Sequence, residues 1–186
     1  MDSRIFIAGF LGAVVIFVWT VISHLVLPFH DMTISEIPNE DAVMEVLKDN
    51  IEDTGVYYYP GKSQADSTYT QKLAEGPRIP FMVYREEGGA EMTPSQFVFS
   101  FLFNFIAATI VAWMLSLTSD NKLMRYGQRV LFVTFFGVFV AVISDLMMWN
   151  WMYFPMSYII ITAYDNVLTW ALAGTVIAWR IDPKKF

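Results

Sequence analysis

The chain has 186 residues, 55% of them hydrophobic and 17% aromatic, with a formal net charge of −6. Ordinary soluble domains are about 45–50% apolar, so this composition excludes a simple water-soluble globule and asks for a membrane. The negative balance argues against nucleic acid as a partner, and the absence of cysteine excludes disulfides, thiolate metal sites and thiol nucleophiles.

Taken from the N-terminus, the first apolar run is Ile5–Leu27. It is longer than the apolar core of a secretory signal, and no small-x-small cleavage site follows Ser23 to Pro28, so residues 1–27 are predicted to form an uncleaved membrane helix. Three further runs, Gln96–Leu117, Val130–Trp149 and Met156–Trp179, each approach the roughly 20 apolar residues that cross a bilayer. They predict helices over 96–118, 130–150 and 156–179, joined by a link at 119–129 and a turn at 151–155, with a tail at 180–186.

Residues 28–95 separate the first two spans and carry ordered signals of their own. Pro38-Asn39-Glu40-Asp41 opens a helix with Asn39 as its cap and two acids in the first turn. Val43, Leu47 and Ile51 repeat at helical spacing until Gly55. Val56 to Tyr59, closed by Pro60-Gly61, reads as a strand, and Ser67–Glu75 as a short helix stopped by Gly76-Pro77. Ile79–Arg85 is a second strand, confined to an edge by Pro80. Thr93-Pro94-Ser95-Gln96 is a capping box with proline at the first helical position. The Tyr57-Tyr58-Tyr59 run suits packing or an interfacial belt better than a ligand surface.

Basic residues orient the spans. Arg4, the group Lys122, Arg125 and Arg129, and the group Arg180, Lys184 and Lys185 all fall on one side if four spans alternate. Both termini are therefore expected in the cytoplasm, and 28–95 forms a small extracytoplasmic α+β cap. That cap holds 13 acidic and five basic residues, a net of about −8. The tail Asp182 to Phe186 fits no lipidation or retrieval address.

Small and polar residues recur at i, i+4 within each span: Gly9 and Ala13 beside Gly12; Ser100, Asn104, Ala108, Ala112 and Ser116; Gly137, Ala141 and Asp145; Asn166 and Thr162, Thr169 and Ala173. Helices associate in lipid through such stripes, so the expected fold is an all-α four-helix transmembrane bundle with the α+β cap between helices 1 and 2. Phe97, Phe99, Phe101, Phe103 and Phe105 spread phenyl rings around the second span, facing lipid, a neighbouring protein or a pigment.

Depth gathers the polar residues. At 1.5 Å per residue, His24 lies about 5 Å inside the outer end of its span, Asn104 about 12 Å, Asp145 about 6–7 Å and Asp165 about 13 Å, with His30 just outside. Carboxylates at such depth are expensive, about 2.5–3.5 kcal/mol near the helix centre, and mark sites by default. One reading makes His24, Asp145 and Asp165 a metal site, with Asn104 and Asn166 completing a polar cluster. A second is proton or cation relay, though no broken-helix pair of the transporter kind is present. A third sets a haem between His24 and Met147 or Met148, without the bis-histidine pair that would favour it. Against all three stands polar glue between helices, with Asp145 reaching water near Asn150 and Asp165 bonded to Asn104 or Thr162. No serine-triad, P-loop or dinucleotide signature is present, so an enzyme ranks last, and the sequence requires no cofactor.

Pro38 to Val43, Gly55 to Gly61 and Met82-Val83-Tyr84-Arg85, taken together, resemble small bacterial four-span integral membrane proteins of unassigned function. The resemblance implies a bacterial inner membrane and transfers no site residue. The expected function is a non-catalytic accessory subunit of a larger membrane complex, in contact with lipid and other integral subunits. The alternative is a small cation-, proton- or metal-binding membrane protein that uses the outer-leaflet His/Asp cluster.

Overall fold

The computed structural model describes residues 3–62, 68–118 and 125–182. The expected helix start at Ser67, the link residue Lys122 and the tail residues Lys184 and Lys185 lie outside the described residues. The described chain divides into two compact units, residues 1–35 with 92–186, and residues 36–91.

The first unit is helical. Among the described residues, four helices are long and apolar enough to cross a membrane: α1 (Ser3–Leu25), α4 (Pro94–Thr118), α5 (Tyr126–Met152) and α6 (Met156–Arg180). Their bounds follow local chemistry. Thr93 donates its backbone N–H to Gln96 Oε1 at 2.6 Å and its hydroxyl to the same oxygen at 3.0 Å, so the glutamine half of the expected capping box is made. Helix α5 begins earlier than the expected 130, because Gln128 Oε1 accepts the Arg125 N–H at 2.8 Å and fixes the first turn there. A π-turn at Ala141–Asp145 interrupts α5, a feature frequent at functional positions. The chain reverses through Tyr153, at φ 59°, and Pro155 precedes α6.

Small residues let these helices approach. Helix α1 packs along α4 and α6, and α6 packs along α5, whereas α4 and α5 touch only slightly. A side chain at Gly9 would overlap Thr109 of α4, and one at Gly12 would lie 2.8 Å from Ile177 Cδ1 of α6. At Gly137 it would lie 2.6 Å from the Asn166 carbonyl oxygen, and at Gly174 3.1 Å from that of Val130. The apolar core joins Ile5, Ala8 and Ile16 to Ala108, Val111, Ala112 and Leu115, then to Val133, Ala173, Ile177 and Ile181. Most of it lies at the end of the bundle that holds Ser3 and Arg180. The N-terminal half of the α4 stripe departs from the seam: Ser100 is exposed and Asn104 half-buried.

The same end carries a buried cation. Arg129 was expected on the link, yet it sits in the first turns of α5, 6% exposed. Its Nε donates to the Ala178 carbonyl at 3.1 Å, and Asp182 Oδ1 lies 4.0 Å from its Nη2. Ala178 is in the last turn of α6, where unsatisfied carbonyls and the helix dipole favour a positive charge. Tyr126 reinforces the join by donating its hydroxyl to the Thr175 carbonyl at 3.0 Å.

The second unit contains α2 (Glu40–Asn50), β1 (Gly55–Tyr59), α3 (Tyr69–Glu75) and β2 (Ile79–Tyr84). The strands pair antiparallel, Gly55 with Tyr84 and Tyr57 with Met82, and the register shifts between Tyr57 and Tyr59. Asn39 precedes α2 as expected, but it adopts φ 55° and its side chain makes no capping bond. Burial in this unit is confined to Pro60 and Tyr84 among the described residues, with Tyr57 edge-on to Tyr84 at 6.5 Å.

Candidate functional site

Helix α1 supplies most of the site from its last two turns. Trp19 and Ser23, at i, i+4, face α6, and His24 follows at the exposed edge. Pro28 cannot continue the helix, so the chain turns back. A 3₁₀ turn at Asp31–Thr33 then anchors it, with the His30 carbonyl accepting from Thr33 N at 2.9 Å and Thr33 Oγ1 at 2.7 Å. This return brings His30 against α6.

Asp165 of α6 is the hub. Trp19 Nε1 donates to Oδ1 at 2.7 Å, Ser23 Oγ donates to Oδ2 at 3.2 Å, and His30 Nε2 lies 3.6 Å from Oδ2. The His30 and Asp165 side chains are 12% and 15% exposed. His24 Nδ1 lies 2.8 Å from Ser23 Oγ and 3.2 Å from the Thr20 carbonyl. Taken as a relay, His24 Nδ1–H donates to Ser23, whose hydroxyl donates to Asp165. Burial pushes the His30 imidazole below its ordinary pKa, with the neighbouring His24 acting the same way; Asp165 and Asp31 oppose the shift.

One ring nitrogen each of His24 and His30 and one Asp165 oxygen lie within 4.8 Å of one another. Tetrahedral coordination at zinc bond lengths puts ligand atoms about 3.3 Å apart, so these donor atoms must close by up to about 1.5 Å to share an ion. The two rings are stacked, however, with centroids 3.9 Å apart and planes 17° from parallel. Lone pairs in near-parallel planes do not converge, so coordination requires one ring to turn about its Cβ–Cγ bond. His24 is exposed and has room to do so. Neutral imidazole is the ligating form, and the buried His30 favours it.

Of the residues singled out from sequence, His24 and Asp165 meet here. Asp145 does not join them. It lies at the end of the π-turn, 6% exposed rather than in contact with water, and accepts a 2.8 Å hydrogen bond from Asn166 Nδ2. Asp165 is bonded to Trp19 and Ser23 instead of Asn104 or Thr162; the Thr162 hydroxyl turns to the Tyr158 and Ile159 carbonyls. Trp19 and Ser23 were overlooked, although their helical spacing ahead of His24 was available as a signal. His30 was set outside the cluster because the Pro28 turn is invisible to a depth count along a straight helix.

A separate feature lies between α4 and α5: an apolar groove of about 560 Å³ lined by Met114, Phe132, Phe135, Phe136 and Phe139. Between 22% and 33% of each apolar stretch is buried within the chain, so most of each span faces outward.

Four long apolar helices and a two-strand sheet define a helical protein of the multi-pass membrane class. No family model, curated protein or solved structure matches the chain.

Proposed function

We propose that this chain is a multi-pass protein of a bacterial cytoplasmic membrane that binds a divalent metal cation through His24, His30 and Asp165. The convergence of two imidazoles and one carboxylate within 4.8 Å carries the reading. Supporting it, Asp165 is held by Trp19 and Ser23, the outer-shell hydrogen bonding that metal-ligating carboxylates use. Placing the basic clusters in the cytoplasm turns the His24 end of the bundle outward. The intervening 28–95 segment, net about −8, then faces the same compartment and raises the local concentration of cations.

The test is metal content. Protein purified in mild detergent, stripped with chelator, exposed to zinc and desalted should retain one ion per chain, and Asp165→Asn and His30→Ala should each lose it. Retention of no ion, or equal retention by both variants, refutes the reading.

A second reading, an accessory subunit of a larger membrane assembly, draws on the groove between α4 and α5. An aromatic-lined opening between two spans suits an apolar helix from another subunit. In this reading the chain migrates with larger partners on a native gel and tolerates Asp165→Asn. A lone, monodisperse particle from native membranes excludes it.

A further inference from the structure

We infer that Trp19 makes Asp165 a one-oxygen ligand, so that the site is four-coordinate and selects a zinc-type ion over magnesium or calcium. The inference rests on the metal reading above and adds coordination number and ion class. The Trp19 indole N–H, a donor with a single hydrogen, holds Oδ1 at 2.7 Å. The oxygen nearest His30 is the other one, Oδ2, at 3.6 Å. Bidentate carboxylate binding needs both oxygens turned toward the ion at similar distances, whereas the short bond from Trp19 holds Oδ1 toward the indole and Oδ2 faces His30.

Two imidazole nitrogens and one carboxylate oxygen make three protein ligands, so tetrahedral coordination takes its fourth ligand from water or another small molecule. Zinc accepts this donor set and number, whereas calcium demands six to eight oxygens and magnesium a near-ideal octahedron rich in water. Imidazole donors reinforce the preference for zinc, copper, nickel or cobalt. Ser23 bonds to Oδ2 at 3.2 Å, so it sits on the ligating oxygen and its removal cannot free Oδ1. Trp19 is therefore a positioning residue and distinct in effect from Ser23.

The experiment uses the full-length protein in detergent, stripped and titrated separately with zinc, cobalt, magnesium and calcium. Wild type should bind zinc and cobalt and resist displacement by a hundredfold excess of magnesium or calcium. Trp19→Phe should weaken zinc about 10–100-fold, the usual cost of losing an outer-shell partner. It should also dim the cobalt d–d bands, because a freed Oδ1 chelates and raises the coordination number; Ser23→Ala should leave the band intensity of wild type. Unchanged cobalt bands in Trp19→Phe, or magnesium or calcium bound as tightly as zinc, overturn this inference while the metal reading stands. Failure of every ion to bind wild type defeats the metal reading itself. Should Trp19→Phe not fold, the Trp19 indole N–H resonance of wild type decides: it should remain hydrogen-bonded on zinc loading, and its release on loading overturns the inference.

Discussion

Gly137→Ala is the substitution whose outcome the geometry constrains most tightly. A Cβ there would lie 2.6 Å from the Asn166 carbonyl oxygen and 2.8 Å from Val167 Cα. Both are backbone atoms of α6, so no rotamer change relieves the clash. Restoring an ordinary 3.4 Å contact requires α5 and α6 to part by about 0.8 Å. Overpacking of this kind costs about 1–3 kcal/mol. The same separation strains the 2.8 Å bond from Asn166 to Asp145, because Asn166 carries both the blocking carbonyl and the donating amide. Gly127 is the internal control: it lies on the same helix with nothing within 4 Å of its added Cβ. There alanine should be neutral or slightly stabilising, since glycine in a helix costs roughly 0.5–1 kcal/mol. Reversible unfolding of detergent-solubilised protein, followed by far-UV circular dichroism, measures both variants. Gly137→Ala should lose about 1–3 kcal/mol against wild type while Gly127→Ala does not. Equal stability of the two refutes the close approach of α5 and α6.

Three further outcomes follow from named contacts. Arg129→Ala should destabilise by about 1.5–3 kcal/mol, because it strips a charged donor from the Ala178 carbonyl; thermal unfolding in detergent measures it, and an unchanged midpoint contradicts the contact. Asp145→Asn keeps an acceptor for Asn166 and should change stability little, whereas Asp145→Leu orphans that amide at a cost of about 0.6–1.7 kcal/mol, read in the same assay; the reverse order would exclude the pair. In metal-free protein the His30 ring should titrate, by NMR, below free imidazole; since the unfolded state then binds more protons, this group adds destabilisation as pH falls through the unfolded value and levels off below the folded one. A midpoint above free imidazole would mean that Asp165 outweighs burial.

The spans, their small-residue seams and the strand pair of residues 36–91 were legible because each follows from a local rule: apolar length, i, i+4 spacing, or alternation between breakers. Pro80 marked β2 as a strand that pairs on one side, and among the described residues it pairs with β1 alone. Site membership was legible only in part. Depth along an ideal helix ranks His24 and Asp145 as near equals, yet depth carries no azimuth. The π-turn at Ala141–Asp145 alters the facing of α5 just where Asp145 sits, and no spacing rule applied to the sequence registers it. His30 lay beyond the span, so only the turn at Pro28 could reveal its return. Arg129 was read as an orienting charge on a link, because positive residues at a span boundary carry that signal whether or not they cap a neighbouring helix.

Asp165 and Asn166 are consecutive on α6, and consecutive side chains on a helix diverge by about 100°, so they serve different neighbours. Asp165 reaches Trp19 and Ser23 of α1, and Asn166 reaches Asp145 of α5. Three helices are thus joined through two adjacent residues, at the end of the bundle remote from most of the apolar core. Hydrogen bonds join close backbone packing at Gly137 in holding this end together, and the bonds that would orient a metal ligand also hold the helices. Loss of stability in a site variant therefore cannot by itself distinguish glue from ligand. An ion that binds only the folded state separates them, because it stabilises by mass action: about 2.7 kcal/mol at a hundredfold excess over its dissociation constant. Zinc should raise the unfolding midpoint of wild type in a concentration-dependent way. Asp165→Asn, which keeps an oxygen for Trp19, should stay folded and lose that response. A midpoint indifferent to zinc in wild type, with a large drop in Asp165→Asn, would reduce the group to polar glue.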